Sequence, residues 1–165
     1  MGVGRKIVIG TALLAGAAAV ASSLYAKKVA ETKEPSHRYV TKAEAAEILG
    51  RPFAEPTKML EGVVKKGYRL YEDPTIIEIV YKEKETDQGL VLRISDTVSA
   101  EDLNNDYHLY EIEQDLDYNG LGMRVLGDEG SVSDVLFVKD GLQYALLSEL
   151  PMSIAAAKAI IASFE

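Results

Sequence analysis

The chain has 165 residues, 18 of them basic and 26 acidic, no cysteine and no tryptophan. The lack of cysteine excludes disulfides, thiolate catalysis and cysteine-ligated zinc. The net charge of -8 argues against nucleic acid and anionic lipid as partners, since both are bound through basic patches.

The first element is an apolar run from Ile7 to Ala26 without a charged side chain. Twenty helical residues rising about 1.5 Å each cross a hydrocarbon core roughly 30 Å thick. Arg5 and Lys6 precede the run and favour a cytoplasmic N-terminus, which places everything after Ala26 outside. Two readings follow. One is a retained transmembrane anchor, with Tyr25 at interfacial depth; the other is a signal peptide cleaved after Ala21, at the small-x-small sequence Ala19-Val20-Ala21. Removing Arg5 and Lys6 from the 18 basic residues leaves 16 against 26 acidic, so the exported part carries about ten net negative charges.

Residues 27–40 mix charge with Pro35 and Ser36 and read as a polar stalk. A single domain is expected over residues 41–165. Thr41 and Glu44 have capping-box spacing, Ala45, Ile48 and Leu49 share a helical face behind them, and Gly50 and Pro52 stop the helix. From Gly67 the period becomes two. Ile77, Ile79 and Tyr81 alternate with Glu78, Val80 and Lys82, and Leu90, Leu92 and Ile94 alternate with Val91 and Arg93. Further strands are expected over 108–115, 121–126, 132–139 and 142–148, with two-residue turns at Asn119-Gly120 and Asp140-Gly141. A last helix, capped by Ser153, aligns Ile154, Ala157, Ile160, Ile161 and Phe164. The expected fold is α+β: an antiparallel meander of five to six strands, covered by an N-terminal and a C-terminal helix and preceded by one transmembrane or signal helix.

Thr41 to Ala46 in the opening helix, Asn105-Asp106-Tyr107 with Tyr110, Tyr118-Asn119-Gly120, and Asp140-Gly141 with Tyr144 occur in order before the closing 153–164 helix. In this arrangement residues 41–165 resemble a family of extracytoplasmic domains of unknown function in Gram-positive bacteria. These domains are found behind a single transmembrane helix and in anti-sigma-factor-type proteins. Where that family often has a tryptophan before the late Asp-Gly turn, this chain has Phe137. The resemblance implies a sheet covered by helices and a sensory or binding role, with no catalytic residues to carry over.

Asp102, Asn104, Asp106 and Glu113 match positions 1, 3, 5 and 12 of a calcium loop, but position 6 is Tyr107 where the turn needs glycine. Glu111, Glu113, Asp115 and Asp117 share one strand parity, as a solvated outer face does, opposite Tyr110, Ile112, Leu116 and Tyr118. His37 and His108 are too far apart in sequence to suggest a metal site, and Lys58, Lys65, Lys66 and Arg69 form the only basic cluster. Ser95, Ser99, Ser131 and Ser133 lack the context of a nucleophile and suit turns.

Nine tyrosines against three phenylalanines favour surfaces that are apolar with a polar tip. Tyr107, Tyr110, Tyr118 and Tyr144 are therefore the candidate binding residues. The functional expectation is a non-enzymatic, membrane-tethered binding or sensing module without a cofactor, partnered by the membrane through residues 7–26 and by another membrane or envelope protein. The alternatives are a cell-envelope hydrolase and a carrier whose sheet cradles an apolar ligand.

Overall fold

The computed structural model describes residues 36–105 and 108–165. The apolar run 7–26, most of the 27–40 segment, Asp106 and Tyr107 lie outside the described residues. Among the described residues no helix is long and apolar enough to cross a membrane.

Among these residues eight strands form one antiparallel sheet. They are β1 (His37–Val40), β2 (Val63–Glu72), β3 (Thr75–Glu83), β4 (Gly89–Ser95), β5 (Ile112–Tyr118), β6 (Leu121–Asp128), β7 (Ser131–Lys139) and β8 (Leu142–Met152). Three helices accompany them: α1 (Lys42–Ile48), α2 (Ala100–Asn104) and α3 (Ile154–Ile161). The sheet order is β1-β2-β3-β4-β8-β7-β6-β5, so two four-stranded meanders meet where β4 pairs with β8.

The expected α+β meander is present, with corrections of detail. The strand count is eight rather than five to six. β1 lies inside the segment read as stalk, because its four residues pair with Tyr68 to Tyr71 and need no apolar period at a sheet edge. The first half of β2 is hidden by the run Lys65-Lys66-Gly67, where a register shift breaks the alternation. The strand expected from His108 begins only at Ile112. Asp128 draws the incoming chain out of the ladder, accepting the Glu111 N–H at 2.9 Å and holding His108 Nε2 at 2.8 Å.

The first face of the sheet is sealed. Ile77, Ile94, Tyr144, Phe137 and Met123 lie in one cross-strand row, and Ile79, Leu92, Leu146, Val135 and Val125 in the next. All ten are at most 3% exposed. α1 buries Ala45 and α3 buries Ala157, Ile160 and Ile161 against this face. Both helices carry the caps read from the sequence: the reciprocal Thr41–Glu44 box, and the Ser153 hydroxyl accepting the Ala156 N–H.

Between α1 and β2 an irregular segment completes the cover with Phe53 and Ala54. The chain end holds it in place: Glu55 exchanges backbone hydrogen bonds with Glu165, and the Thr57 N–H donates to Ser163 O. The Glu55 carboxylate then ties the segment to α1 and β2, accepting from Lys42, from Lys65 at 2.8 Å and from the Tyr68 hydroxyl at 3.0 Å. Burial alone would raise the Glu55 pKa, but these donors outweigh it and hold the carboxyl below its ordinary 4.5. A depressed folded-state pKa gives stability that is fully present above pH 4.5 and is lost as pH falls through the folded value. Urea unfolding below pH 4.5 is therefore expected to show a shallower loss of stability for Glu55→Gln than for the wild type. Identical acid limbs would show that the network does not contribute.

Candidate binding face

The second face of the sheet is polar and only partly covered. One cross-strand row runs Tyr39, Arg69, Glu78, Arg93, Ala145, Leu136, Arg124 and Asp115 from edge to edge. α2 is the one helix on this face among the described residues. It begins at Ser99, whose hydroxyl accepts the Asp102 N–H, and ends at Asn105 with a positive φ of 51°. Its Ala100 and Leu103 sit on Leu126, Leu136 and Ala145. No sequence period announces a helix of five residues with two apolar contacts.

Beyond α2, the β1–β4 half carries a charge cluster. Glu78 is 2% exposed and lies between two arginines: Arg69 Nη1 donates to Oε1 at 3.3 Å and Arg93 Nε to Oε2 at 3.1 Å. Arg93 Nη1 also donates to Leu103 O at 2.9 Å, which fastens the cluster to α2. Shared charge-assisted bonds of this kind hold both guanidinium planes in fixed orientations. Burial alone would lower the Arg69 pKa, but the Tyr39 hydroxyl, the Glu78 carboxylate and the Tyr71 hydroxyl together raise it. The Tyr39 ring lies 5.9 Å from the Arg69 guanidinium carbon and is 70% exposed, and the His37 ring packs between Tyr39 and Tyr71.

Among the described residues several hollows border α2, and two of them open over the sheet. One, of about 390 Å³, lies over β3, β4 and β8 beside the C-terminal end of the helix. The other, of about 680 Å³, opens toward β5 and β6 over Leu136 and Val138, with Glu101, Asp115, Asp117 and Arg124 around it.

The structure scatters the candidate tyrosines. Tyr144 is 1% exposed in the first-face core, stacked 4.9 Å from Phe137, with its hydroxyl accepting the buried Ala54 N–H at 3.2 Å. This placement corrects the expectation that it contacts a ligand. Tyr118 packs against the same core, whereas Tyr110 belongs to the second face and donates its hydroxyl to Asp134. Tyr107 lies outside the described residues.

The calcium spacing does not produce a loop: Asp102 and Asn104 are helical, and Asp102 is bonded to the Ser99 hydroxyl at 2.8 Å. Glu113 pairs with Arg124 at 3.1 Å, and Asp115 joins it at 3.4 Å, so part of the acidic row is neutralised across the sheet. Among the described residues no group of three or more His, Asp or Glu is placed to hold a metal ion.

The basic cluster also divides. Lys65 turns to Glu55 on the first face and Arg69 to Glu78 on the second. The Ser95 hydroxyl donates to Thr75 O and accepts the Thr97 and Val98 N–H groups, and Ser133 donates to Leu126 O, so both serve local turns and ladders. Sequence reasoning missed the Arg69–Glu78–Arg93 cluster. Its signal was an ionisable residue at the outward position of two adjacent strands. No family model, curated protein or solved structure matches the chain.

Proposed function

We propose that residues 37–165 form a non-catalytic binding or sensing module, held outside the membrane by the apolar run 7–26, that recognises a protein, peptide or envelope component through its second sheet face. One observation carries this reading: one face is packed shut, while the other leaves two oriented guanidiniums, an exposed aromatic edge and two hollows open. Tyrosine and arginine are the residue types that dominate binding energy at protein surfaces. The filled first face favours this reading over an apolar carrier, which needs an empty cavity there. The resemblance to extracytoplasmic sensory domains points the same way.

The test is a photo-crosslinking amino acid placed at Tyr39 in the full-length protein in its native membrane, with the same group at Glu85 in the β3–β4 turn as control. A discrete adduct at position 39 and none at 85 is expected. No adduct at either position, or the same adducts at both, would reject the face as the binding surface.

A further inference from the structure

We infer that the groove between α2 and strands β5 to β7 docks a basic segment of a partner protein, one in which aliphatic residues stand among lysines or arginines. This rests on the reading of the second face as the binding surface and names the chemistry of its partner.

The groove joins two hollows. The larger, of about 680 Å³, lies over Leu136, Val138 and Gly122; the other, of about 220 Å³, lies beyond Arg124 toward Leu109. Glu101, Arg124 and Leu136 line both, so the two run together. Each end carries an apolar side chain open to solvent, Val138 at 48% and Leu109 at 91% exposure. Among the described residues only Tyr39 and Ile48 join them as exposed large apolar side chains. Single exposed apolar residues are ordinary, but two along one groove mark a contact surface.

The second observation is Gly122. It lies within β6 in unbroken register with Asp117, and its φ is not positive. A Cβ there would meet nothing within 4 Å. Neither a turn, nor a bulge, nor crowding inside the domain calls for glycine, which weakens a strand. A glycine so placed keeps the floor clear for another chain to approach.

Charge selects the occupant. Residues 99–141, from α2 to the turn after β7, hold 11 acidic and two basic side chains, whereas residues 37–98 hold 11 and ten. Both basic groups of the acidic half are already engaged: Arg124 with Glu113 at 3.1 Å and Asp115 at 3.4 Å, and Lys139 with Asp140 at 3.8 Å. On the two rims, Glu101 of α2 and Asp117 of β5 have no ion pair among the described residues, and Asp117 is steadied by the Gly120 N–H at 3.1 Å. Lysine or arginine stems can lie along the apolar floor while their charged ends reach these rims. A second copy of this chain would bring the same acidic rim against itself, and a purely apolar segment would leave the carboxylates unanswered.

The probe is the peptide acetyl-Lys-Val-Lys-Leu-Lys-Val-Lys-amide, titrated by calorimetry against the full-length protein in nonionic detergent at low salt. Two relatives serve as controls, one with glutamate for every lysine and one with serine for every aliphatic residue. Saturable binding of the basic peptide is expected at about 10–100 μM, with the serine peptide about tenfold weaker and the glutamate peptide not bound. Gly122→Phe, whose side chain enters open space, should abolish binding by filling the groove, and Val138→Ser should weaken it about fivefold. Glu101→Lys should weaken it about tenfold, whereas the same charge change at Glu85, in the β3–β4 turn, should cost less than about twofold. No saturation in the millimolar range, equal binding of the serine peptide, or wild-type affinity in both Gly122→Phe and Val138→Ser would overturn the assignment. So would equal losses for Glu101→Lys and Glu85→Lys, since binding would then follow net charge alone. Failure of the peptide to bind while the Tyr39 crosslink still forms would overturn the basic partner and leave the binding module standing.

Discussion

Tyr144→Ala should lower the free energy of unfolding by about 4 kcal/mol, the range for deleting a fully buried aromatic ring. The ring is 1% exposed, stacked on Phe137 and met edge-on by Phe164 at 5.8 Å, so alanine would leave a cavity where β7, β8 and the chain end converge. Phe137 and Phe164 also touch each other, so the remaining pair cannot close the gap without moving α3 or the sheet. Tyr144→Phe separates the hydroxyl from the ring. It keeps the stacking but leaves the Ala54 N–H buried and unbonded, for a loss of about 1–2 kcal/mol. Urea unfolding followed by tyrosine fluorescence measures both, since the chain has no tryptophan. A Tyr144→Ala loss under 1 kcal/mol, or a Phe variant as damaged as the Ala variant, would contradict this account.

Glu78→Ala is the second large effect, about 3 kcal/mol. Removing the carboxylate leaves two guanidiniums, each with roughly a quarter of its side chain exposed, without the charge that both of them meet. The exposure of the arginines keeps the loss at the low end of that seen for broken buried ion pairs. Glu78→Gln keeps the shape and part of the hydrogen bonding, so it should fall between alanine and the wild type. The triple replacement Arg69→Met, Glu78→Leu and Arg93→Met is expected to recover most of the loss, because packed apolar side chains commonly equal a buried ion network in stability. Near-wild-type unfolding of that variant together with a lost Tyr39 crosslink would show that the charges serve recognition. A Glu78→Ala change of under 0.5 kcal/mol would place the cluster effectively in solvent.

What the sequence revealed follows the strength of its local signals. Ile77 to Lys82 and Leu90 to Ile94 alternate cleanly because one face is core and the other is not, and both are strands. Thr41 with Glu44, and Ser153 before an apolar stripe, specify their helices because capping chemistry is local. The turns at Asn119-Gly120 and Asp140-Gly141 take positive φ at both residues as read, whereas Glu129-Gly130 does the same with a glutamate that no turn rule selects.

The site was less legible. Tyrosine content suggested a binding surface, but a tyrosine fits a core as well as a rim, and Tyr144 went to the core. Asp102 and Asn104 were read for their side chains, and their helix was missed because Ala100 and Leu103 are its whole apolar face. The pairing of Glu78 with Arg69 and Arg93 depends on register between three strands. Register is a property of the assembled sheet, fixed by turns and buried rows together, so no single stretch of sequence displays it.

The junction of the two meanders has a kinetic consequence. Within each half, neighbouring strands are joined by short connections, apart from the helix-bearing link from β1 to β2, so most pairings close small loops. Only β4 and β8 are distant in the chain, pairing Leu90 with Ser148 and Ser95 with Gln143. The entropy of closing that loop must be spent before its contacts return anything. Formation of this seam is therefore expected to be the slow step of folding. Core substitutions along it, at Leu92 or Leu146, should retard refolding, whereas equally destabilising changes in the outer strands should act mainly by hastening unfolding.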